Sequence, residues 1–338
     1  MNKKLLLSAL TIMTLAFAGC ASTSTETGSD TVTGSPTVES SAVAESEALA
    51  QETGTVTVVH TLGETEVPKN PKNVVVMDYG ILDTMDALEI EVAALPLTGS
   101  VPEYLSDYQN EEVYTNVGSL KEIDLEKVFE VEPELIIIGG RQSSYYEELS
   151  KIAPTVQLSV DASDYMNSFK TSVNYLGEIF GKEAEVATKL EAIETSMKEI
   201  AEKAVAKDVN GLVVLANGDA FSVYGQGSRF GIIHNEFGIK PVDENIEAST
   251  HGQNASFEYI VEQNPDYLFI VDRSAATATG GEGEGSAKAM FDNELIQGTD
   301  AYKNGRIIYL DPAVWYKAGG GFISTEVMLE EISSALDL

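Results

Sequence analysis

The chain contains one seventeen-residue pattern twice, LEKVFEVEPELIIIGGR at Leu125–Arg141 and FEYIVEQNPDYLFIVDR at Phe257–Arg273. The two copies share two glutamates, a proline, an isoleucine and a final arginine at matched positions. Each copy predicts a short helix, a turn at the proline, a buried strand and then an arginine just after the strand. A duplicated unit of this kind predicts two similar lobes.

The two final arginines, Arg141 and Arg273, indicate where a ligand would bind. The chain has four arginines and seventeen lysines, so an arginine at the end of both copies is a rare coincidence. Ligands of parallel α/β sheets bind beyond the carboxyl ends of the strands. We therefore expect each lobe to direct one arginine into a shared cleft; the alternative is that the repeat is only scaffold.

Patterns in the rest of the sequence divide the body into three parts. Strand and helix patterns alternate over residues 55–163 and again over residues 207–338, which predicts an α/β lobe in each range. Residues 164–206 have helical spacing, interrupted near Gly181, and no strand pattern. The predicted fold class is therefore α/β, with two Rossmann-like lobes joined by a long helical connector.

The N-terminal residues predict export and tethering. Residues 1–20 combine two lysines, a short apolar run and a final Cys20, as in a signal peptide. The apolar run is shorter than the roughly 20 residues of a membrane span. Its end resembles a bacterial lipobox and Cys20 is the only cysteine, so we expect Cys20 to be lipidated. Residues 21–54 are rich in Ser, Thr, Glu, Ala and Gly and predict a flexible tether.

The formal net charge of −33 argues against two classes of partner. A chain this acidic repels nucleic acid and anionic lipid, so neither is expected to bind. We interpret most of the acidity as a means of keeping an exported protein soluble. Inside a cleft, nearby arginines outweigh the long-range repulsion of an anion, because salt screens charges over about 8 Å.

A third arginine, Arg229, lies in a Gly-rich turn that reads YGQGSRFG at Tyr224–Gly231. The glycine spacing does not match the dinucleotide fingerprint, so nucleotide binding is not expected. The turn either carries a surface arginine or, as its position after a predicted strand favours, brings Arg229 into the cleft. Arg306 precedes a strand, which predicts that it lies at the opposite edge of the sheet, on the surface.

One histidine and one aromatic pair are further candidates. His251 lies in a polar loop, where its imidazole could serve as a metal ligand or as a hydrogen-bond donor. His60 in a strand and His234 in an apolar helix are interpreted as structural. Trp315 and Tyr316 follow another strand, and three glycines come soon after them. Aromatic pairs are more often packing residues, but the glycines favour a mobile loop that contacts a ligand.

These residues point to binding and not to catalysis. Three converging arginines suit a multiply charged anion, because guanidinium stays charged when desolvated and pairs with two oxygens at once. The sequence has no nucleophile elbow, no HExxH motif and too few histidines for a buried zinc or manganese cage. We expect a binding protein that is not an enzyme and has no intrinsic cofactor.

Several segments together resemble the siderophore-binding lipoproteins of ABC importers, above all receptors of the catecholate and petrobactin type. The segments are GGRQS at 139–143, YGQGSRFGIIH at 224–234, DENIEASTHG at 243–252, FIVDR at 269–273 and YLDPAVWY at 309–316. The resemblance extends over nearly the whole body and implies the helical-backbone type of solute-binding fold. The acidic GEGEG insertion at 281–285 has no assigned role.

The resemblance also implies roles for individual residues. Arg141, Arg229 and Arg273 would form an arginine triad around a negatively charged ferric catecholate. His251 and Tyr316 would complete the coordination of ferric iron when a tetradentate siderophore leaves two sites open. Second-tier candidates for ligand contact are Gln142, Tyr224 and Trp315.

The implied function is the capture of an anionic ferric catecholate siderophore and its delivery to an ABC permease and its ATPase. The iron would enter as the siderophore complex. The protein would be lipid-anchored on the outer face of the cytoplasmic membrane, at the surface of a Gram-positive cell. Two alternatives stay open: a haem or corrinoid receptor of the same architecture, and an exported metal-dependent hydrolase that uses His251.

Overall fold

The computed structural model describes residues 54–99, 101–278 and 285–338. The predicted signal peptide with Cys20, the predicted tether up to residue 53 and residues 281–284 of the acidic insertion lie outside the described residues. Within the part that is described, no helix has the length and apolar character needed to span a membrane.

The first sheet is parallel and is preceded by an antiparallel hairpin. The hairpin strands are β1 (Thr55–His60) and β2 (Gly63–Pro68), and the sheet strands are β3 (Val75–Val76), β4 (Ala94–Leu95), β5 (Thr115–Asn116), β6 (Ile136–Ile138) and β7 (Thr155–Gln157). Their order in the sheet is β5-β4-β3-β6-β7. The helices of this region are α1 (Tyr79–Ala87), α2 (Leu125–Glu130), α3 (Tyr146–Leu149) and two 3-10 helices, Glu103–Gln109 and Gly140–Tyr145.

Two long helices follow the first sheet. They are α4 (Tyr165–Phe180) and α5 (Glu183–Lys207), and they pack against each other. Gly181 separates them with a φ of 66°, a left-handed conformation that glycine adopts without strain. The predicted helical stretch with a break near Gly181 therefore corresponds to two helices.

The second sheet is mixed. Its strands are β8 (Asn210–Asn217), β9 (Ala220–Tyr224), β10 (Lys240–Pro241), β11 (Gln253–Asn254), β12 (Tyr267–Asp272) and β13 (Ile307–Leu310). The order is β11-β9-β8-β12-β13, and β10 also pairs with β8. Strands β8, β12 and β13 are parallel, whereas β9 runs antiparallel to β8 because a tight turn joins the two. The helices are α6 (Ile232–Asn235), α7 (Phe257–Gln263), α8 (Arg273–Thr277), α9 (Ser286–Phe291), α10 (Glu294–Gln297), α11 (Asp300–Lys303) and α12 (Phe322–Ala335).

Both copies of the repeated pattern form a helix followed by an interior strand of a sheet, next to its edge strand. The first copy forms α2 and β6, and the second forms α7 and β12. Asp124 and Ser256 cap the two helices by accepting hydrogen bonds from backbone N–H groups of the first turn. The helix, turn and strand predicted for each copy are confirmed.

Buried core residues pack on both faces of each sheet. Alternate residues of β8 lie on opposite faces: Val213 and Leu215 belong to the large central cluster, whereas Leu212 and Val214 pack under the outer helices. The large cluster also contains residues of α4, α5 and α12. Central parallel strands buried on both faces are typical of α/β proteins, and the predicted fold class is confirmed in this respect. The predicted boundaries 55–163, 164–206 and 207–338 stay a prediction.

The C-terminal helix returns to the N-terminal part of the chain. Helix α12 packs against both α1 and α5. On α1, Asp83 accepts hydrogen bonds from the backbone N–H groups of Ile323 and Ser324, both at 2.7 Å, and so caps the start of α12. Through this contact, the start of α12, which follows Tyr316 in the chain, is held against helix α1 of the first sheet's region.

Candidate functional site

The three arginines expected in a cleft all follow strands. Arg141 lies in the 3-10 helix after β6, Arg229 in the turn after β9, and Arg273 is the first residue of α8, directly after β12. The backbone before Arg141 comes very close to Asp78, since a side chain at Gly139 would place its Cβ 2.3 Å from the Asp78 carboxylate. A glycine is therefore required where the chain turns towards the site.

The three guanidinium groups converge on one residue, Tyr316. Its backbone carbonyl accepts hydrogen bonds from Nη2 of Arg141 and from Nη2 of Arg229, both at 2.7 Å. Its hydroxyl accepts a hydrogen bond from Nε of Arg273 at 2.8 Å. The guanidinium of Arg229 also lies 4.1 Å from the centre of the Tyr316 ring, close enough for a cation–π contact. The site therefore gathers three cations around one phenol and one carbonyl.

The charges of the arginines determine the protonation behaviour of Tyr316. Burial alone would raise the pKa of the Tyr316 phenol. The hydrogen bond from Arg273 and the positive charges of Arg229, Arg273 and Arg141 outweigh that effect and hold the pKa below its ordinary value. Burial, and then the charge of Arg141, lower the pKa of Arg229. The site thus favours negative charge at the position of the phenol oxygen.

The carboxylate of Asp78 lies next to Arg141. The Asp78 carboxylate lies 3.8 Å from Nη1 of Arg141 and accepts hydrogen bonds from the backbone N–H groups of Gly80 and Ile81 at the start of α1. Burial raises the pKa of Asp78, against the opposing effects of Arg141 and the two N–H groups. Because Asp78 is fixed by the helix, it restrains the orientation of Arg141 as well as balancing its charge.

Two adjoining cavities flank Tyr316. The first has a volume of about 490 Å³ and the second about 550 Å³. Arg141, Arg229, Thr250 and Tyr316 line both cavities, so these residues form the boundary between them. The first cavity continues past Trp315 and Lys317, and the second past Arg273, Tyr224, His251 and Lys121.

His251 is an exposed residue of the second cavity. Its backbone carbonyl accepts a hydrogen bond from the Tyr224 hydroxyl at 2.9 Å, and its backbone N–H donates to Oγ of Ser249 at 3.1 Å. These contacts fix the loop and leave the imidazole on the cavity wall with Tyr316. No group of three or more His, Cys, Asp or Glu side chains in the described ranges is arranged to hold a metal ion.

The second-tier candidates take different positions. Tyr224 is buried and lines the second cavity. Gln142 is buried, accepts a hydrogen bond from the Gly139 N–H and donates to the Leu120 carbonyl, and it lines neither of the two cavities. Its amide therefore fixes the turn that carries the neighbouring arginine.

The aromatic pair does not lie in an open loop as expected. Residues Val314–Ala318 form a short π-helical turn in which Trp315 is only 4% exposed. The Trp315 indole donates a hydrogen bond to Glu331 of α12 at 2.6 Å and still contributes to the wall of the first cavity. Packing against a distant helix thus orders a segment whose neighbouring glycines suggested mobility.

The two remaining histidines and the fourth arginine lie apart from the two cavities. His60 ends β1, and His234 is buried in α6, where Nδ1 lies 2.9 Å from the Ile239 carbonyl. Arg306 precedes β13, at the other end of the strand from the carboxyl edge, and its guanidinium lies 5.0 Å from the Tyr267 ring. None of the three lines either cavity beside Tyr316.

Sequence reasoning missed three charged residues of the site. Asp78 follows a buried strand, as the predicted arginines do. It was not predicted as a site residue because it is acidic and the candidates for binding an anion were cations. Lys121 lines the second cavity from the segment before α2. Lys317 lines the first cavity, where burial and then the charge of Arg141 lower its pKa to about 8. No local pattern distinguishes these lysines from the others in the sequence.

A sequence model of the family described as periplasmic binding protein matches residues 74–314 of the chain. A curated relative is the petrobactin-binding protein YclQ of Bacillus subtilis (strain 168), which is 47% identical over 286 residues, covering 83% of this chain and 88% of YclQ. The ferric-anguibactin-binding protein FatB of Vibrio anguillarum is 32% identical over 282 residues, covering 82% of this chain and 86% of FatB.

Solved structures resemble the chain over the same region. The crystal structure of YclQ matches with a TM-score of 0.80 and 46% identity, covering 84% of this chain and 99% of YclQ. The periplasmic catecholate-siderophore binding protein VctP of Vibrio cholerae matches with a TM-score of 0.78 and 37% identity, covering 83% of this chain and 99% of VctP. The expected two-lobe solute-binding fold is confirmed by these similarities.

Proposed function

The chain belongs to the periplasmic binding protein family, and from this premise we propose that it captures an anionic ferric siderophore of the catecholate class for an ABC importer. The ferric complex binds in the cleft beside Tyr316 and is then delivered to a permease and its ATPase. The relatives support this proposal, since YclQ is named for petrobactin, FatB for ferric anguibactin and VctP for catecholate siderophores.

The observation that carries the proposal is the convergence of Arg141, Arg229 and Arg273 on Tyr316. A ferric catecholate has negative charge spread over its phenolate oxygens. Guanidinium groups donate to such oxygens and remain charged away from water, so the three arginines can neutralise and orient the complex. These contacts determine binding. The acidic surface repels the anion only weakly, because salt screens the surface charge over about 8 Å.

We also propose that His251 and Tyr316 complete the coordination of iron in a tetradentate complex. Both side chains line the second cavity. Against the effect of burial, the hydrogen bond from Arg273 and the charges of the arginines lower the pKa of the Tyr316 phenol and so make its phenolate easier to form. A phenolate is a suitable ligand for a hard cation such as ferric iron. A hexadentate siderophore leaves no coordination site open, and the same two side chains then act through hydrogen bonds alone.

The proposed function includes a lipid anchor at Cys20 and a tether over residues 21–54. Two acyl chains on this cysteine would hold the protein stably on the outer face of the membrane. Cys20→Ala should abolish lipidation and release the protein from the membrane fraction of the cells that produce it. The check is fractionation with intact-mass measurement; membrane retention at unchanged mass would contradict the anchor.

Native mass spectrometry with a panel of ferric ligands tests the function directly. The panel contains ferric bis- and tris-catecholate siderophores, a ferric hydroxamate siderophore, ferric citrate and haem. We expect one catecholate complex per protein and no comparable retention of the other ligands. Retention of haem or of the hydroxamate in preference to both catecholates would contradict the proposal.

A further inference from the structure

Lys317 adds a cation to the cleft beside the three arginines. It directly follows Tyr316 in the π-helical turn, and its side chain lines the first cavity together with Arg141 and Arg229. Lys317 is half-buried, and burial, followed by the charge of Arg141, lowers the pKa of its ammonium group to about 8. Tyr316 lines both cavities, and Lys317, the next residue, lines the first.

More cationic than acidic residues line the first cavity, although Asp78, 3.8 Å from Nη1 of Arg141, balances part of the charge of that arginine. The described lining of this cavity contains three cations, Arg141, Arg229 and Lys317, and one acidic residue, Asp161. The Asp161 carboxylate already accepts hydrogen bonds from the backbone N–H of Ser163 at 2.8 Å and from its hydroxyl at 2.7 Å. A cavity with this lining favours an anionic group over a neutral one.

Electrostatics relates the contribution of Lys317 to the charge of the bound ligand. Two neighbouring cations raise the electrostatic energy of the protein, and an anion between them lowers it. The attraction to Lys317 is proportional to the net charge of the ligand, as Coulomb's law requires. A ferric tris-catecholate is triply negative, whereas a ferric bis-catecholate is singly negative, so the same lysine stabilises the two complexes to different extents.

We propose that Lys317 is a specificity-determining residue that makes the cleft prefer the more negatively charged of two ferric catecholate complexes. This inference rests on the proposed function and assigns a ligand contact to the first cavity. It differs from the role of the arginines, which hold Tyr316 and bind both complexes. Lys317 contacts the anionic oxygens that lie on the Trp315 side of Tyr316.

The test compares three variants with two ligands of the same metal. Lys317→Met removes the charge but keeps the length of the side chain, and Lys317→Arg keeps the charge. Lys198→Met is the matched control, because Lys198 is an exposed residue of α5 that pairs with Glu202 and lines neither cavity. Dissociation constants for a hexadentate ferric tris-catecholate and a tetradentate ferric bis-catecholate are measured by calorimetry.

We expect Lys317→Met to weaken binding of the tris-catecholate about tenfold and of the bis-catecholate about twofold, as the proportionality to charge requires. Both dissociation constants of Lys317→Arg should lie within about threefold of the wild-type values, and Lys198→Met should change neither constant. The ratio of the two constants in one preparation does not depend on how much of a variant has folded. A reduced fraction of folded protein therefore cannot imitate the expected result.

Equal losses for both complexes in Lys317→Met would overturn the inference, because they would indicate a structural role. Unchanged constants would overturn it as well, and so would a loss that Lys317→Arg does not restore. If the wild-type protein binds neither complex, the proposed function is refuted. If the wild-type protein binds both complexes and Lys317→Met keeps the same preference, only the inference about Lys317 is refuted.

Discussion

At the scale of single residues, Tyr316 is the residue on which the three arginines converge. Its carbonyl holds Arg141 and Arg229, and its hydroxyl holds Arg273, so the arginines are already oriented by hydrogen bonds. A ferric complex that approaches these arginines competes for the same donors. Preorganisation of this kind reduces the ordering cost of binding, since long side chains are already fixed.

Loss of the Tyr316 hydroxyl should affect two ligand classes differently. Tyr316→Phe keeps the carbonyl contacts and removes the hydroxyl that accepts from Nε of Arg273, whereas Nη1 of Arg273 keeps its hydrogen bond to Asn217. For a tetradentate ferric siderophore we expect an altered charge-transfer band and about tenfold weaker binding, because the proposed iron ligand is lost. For a hexadentate siderophore the spectrum should not change and the affinity should fall by about threefold or less. Visible absorbance titrations measure both.

His251→Ala is the companion variant for the same titrations. As for Tyr316→Phe, His251→Ala should weaken binding of the tetradentate ligand more than binding of the hexadentate ligand. Losses of equal size for both ligand classes in either variant would contradict direct coordination of iron by these side chains.

At the residue scale, position in the chain was sufficient to predict that the three arginines lie close together. The arginines were predicted because each follows a strand, and the structure brings Arg141, Arg229 and Arg273 within hydrogen-bonding distance of one residue. The role of the Tyr316 carbonyl could not be predicted, since backbone atoms carry no sequence signal. Asp78 and Lys317 reach the site through packing of segments that are far apart in the chain.

At the scale of elements, the contact of α1 with α12 supports the turn that carries Tyr316. Asp83 of α1 accepts hydrogen bonds from Ile323, Ser324 and the Tyr104 hydroxyl. Burial is the main cause that raises the pKa of Asp83 from 3.8 to about 6, and the hydrogen bonds oppose it. The adjoining Gly321 cannot carry a side chain, because its Cβ would lie 2.3 Å from the Asp83 carboxyl carbon.

The raised pKa of Asp83 predicts how stability depends on pH. The folded state binds a proton at Asp83 more tightly than the unfolded state does, so this group's contribution is fully present below pH 3.8 and is lost as pH rises through about 6. A shift of this size corresponds to on the order of 3 kcal/mol. The free energy of unfolding of wild type minus that of Asp83→Asn should therefore decrease as the pH rises from below 3.8 through about 6. The total decrease should be roughly this amount, and the difference should level off about one pH unit above the folded pKa.

Urea unfolding of both proteins at intervals of pH measures this difference. Subtraction removes the contributions of the other carboxyl groups, which the two proteins share. A difference that stays constant, or that increases with pH, would contradict the raised pKa of Asp83.

The elements themselves were predictable to different degrees. Both copies of the repeated pattern were predicted correctly, because a proline turn between an amphipathic helix and an apolar strand is a local signal. The Val314–Ala318 segment was predicted as a loop on the cleft side; it does line the first cavity, but it forms a short π-helical turn. The hydrogen bond from Trp315 to Glu331 that orders it joins residues of different elements, and the neighbouring glycines pointed the other way.

At the scale of the whole molecule, a strongly acidic chain surrounds a cationic cleft. The net charge is −33, yet the residues lining the two cavities include Arg141, Arg229, Arg273, Lys121 and Lys317. The acidity was visible in the composition and the arginine cleft was predicted, whereas the positions of Lys121 and Lys317 in the cavity walls became visible only in the fold. The cleft remains attractive to anions because nearby cations dominate at short range, where salt screens little.

A tryptophan emission titration tests the central claim, which is that the arginines around Tyr316 bind a ferric catecholate. Trp315 is the only tryptophan and lines the same cavity as Arg141 and Arg229, so a bound complex with visible absorption should quench its emission. A gallium catecholate, which lacks the charge-transfer band, is the control: it should compete for the site and quench much less.

The titration compares wild type, Arg229→Ala and Arg306→Ala. Each charge-assisted contact contributes about 1.5 to 3 kcal/mol, so Arg229→Ala should weaken binding by about ten to a hundredfold. Arg306→Ala should match wild type, and wild-type quenching should saturate at one ligand per protein. Binding that is seen by calorimetry but leaves Trp315 emission unchanged, or equal losses in the two arginine variants, would contradict the claim.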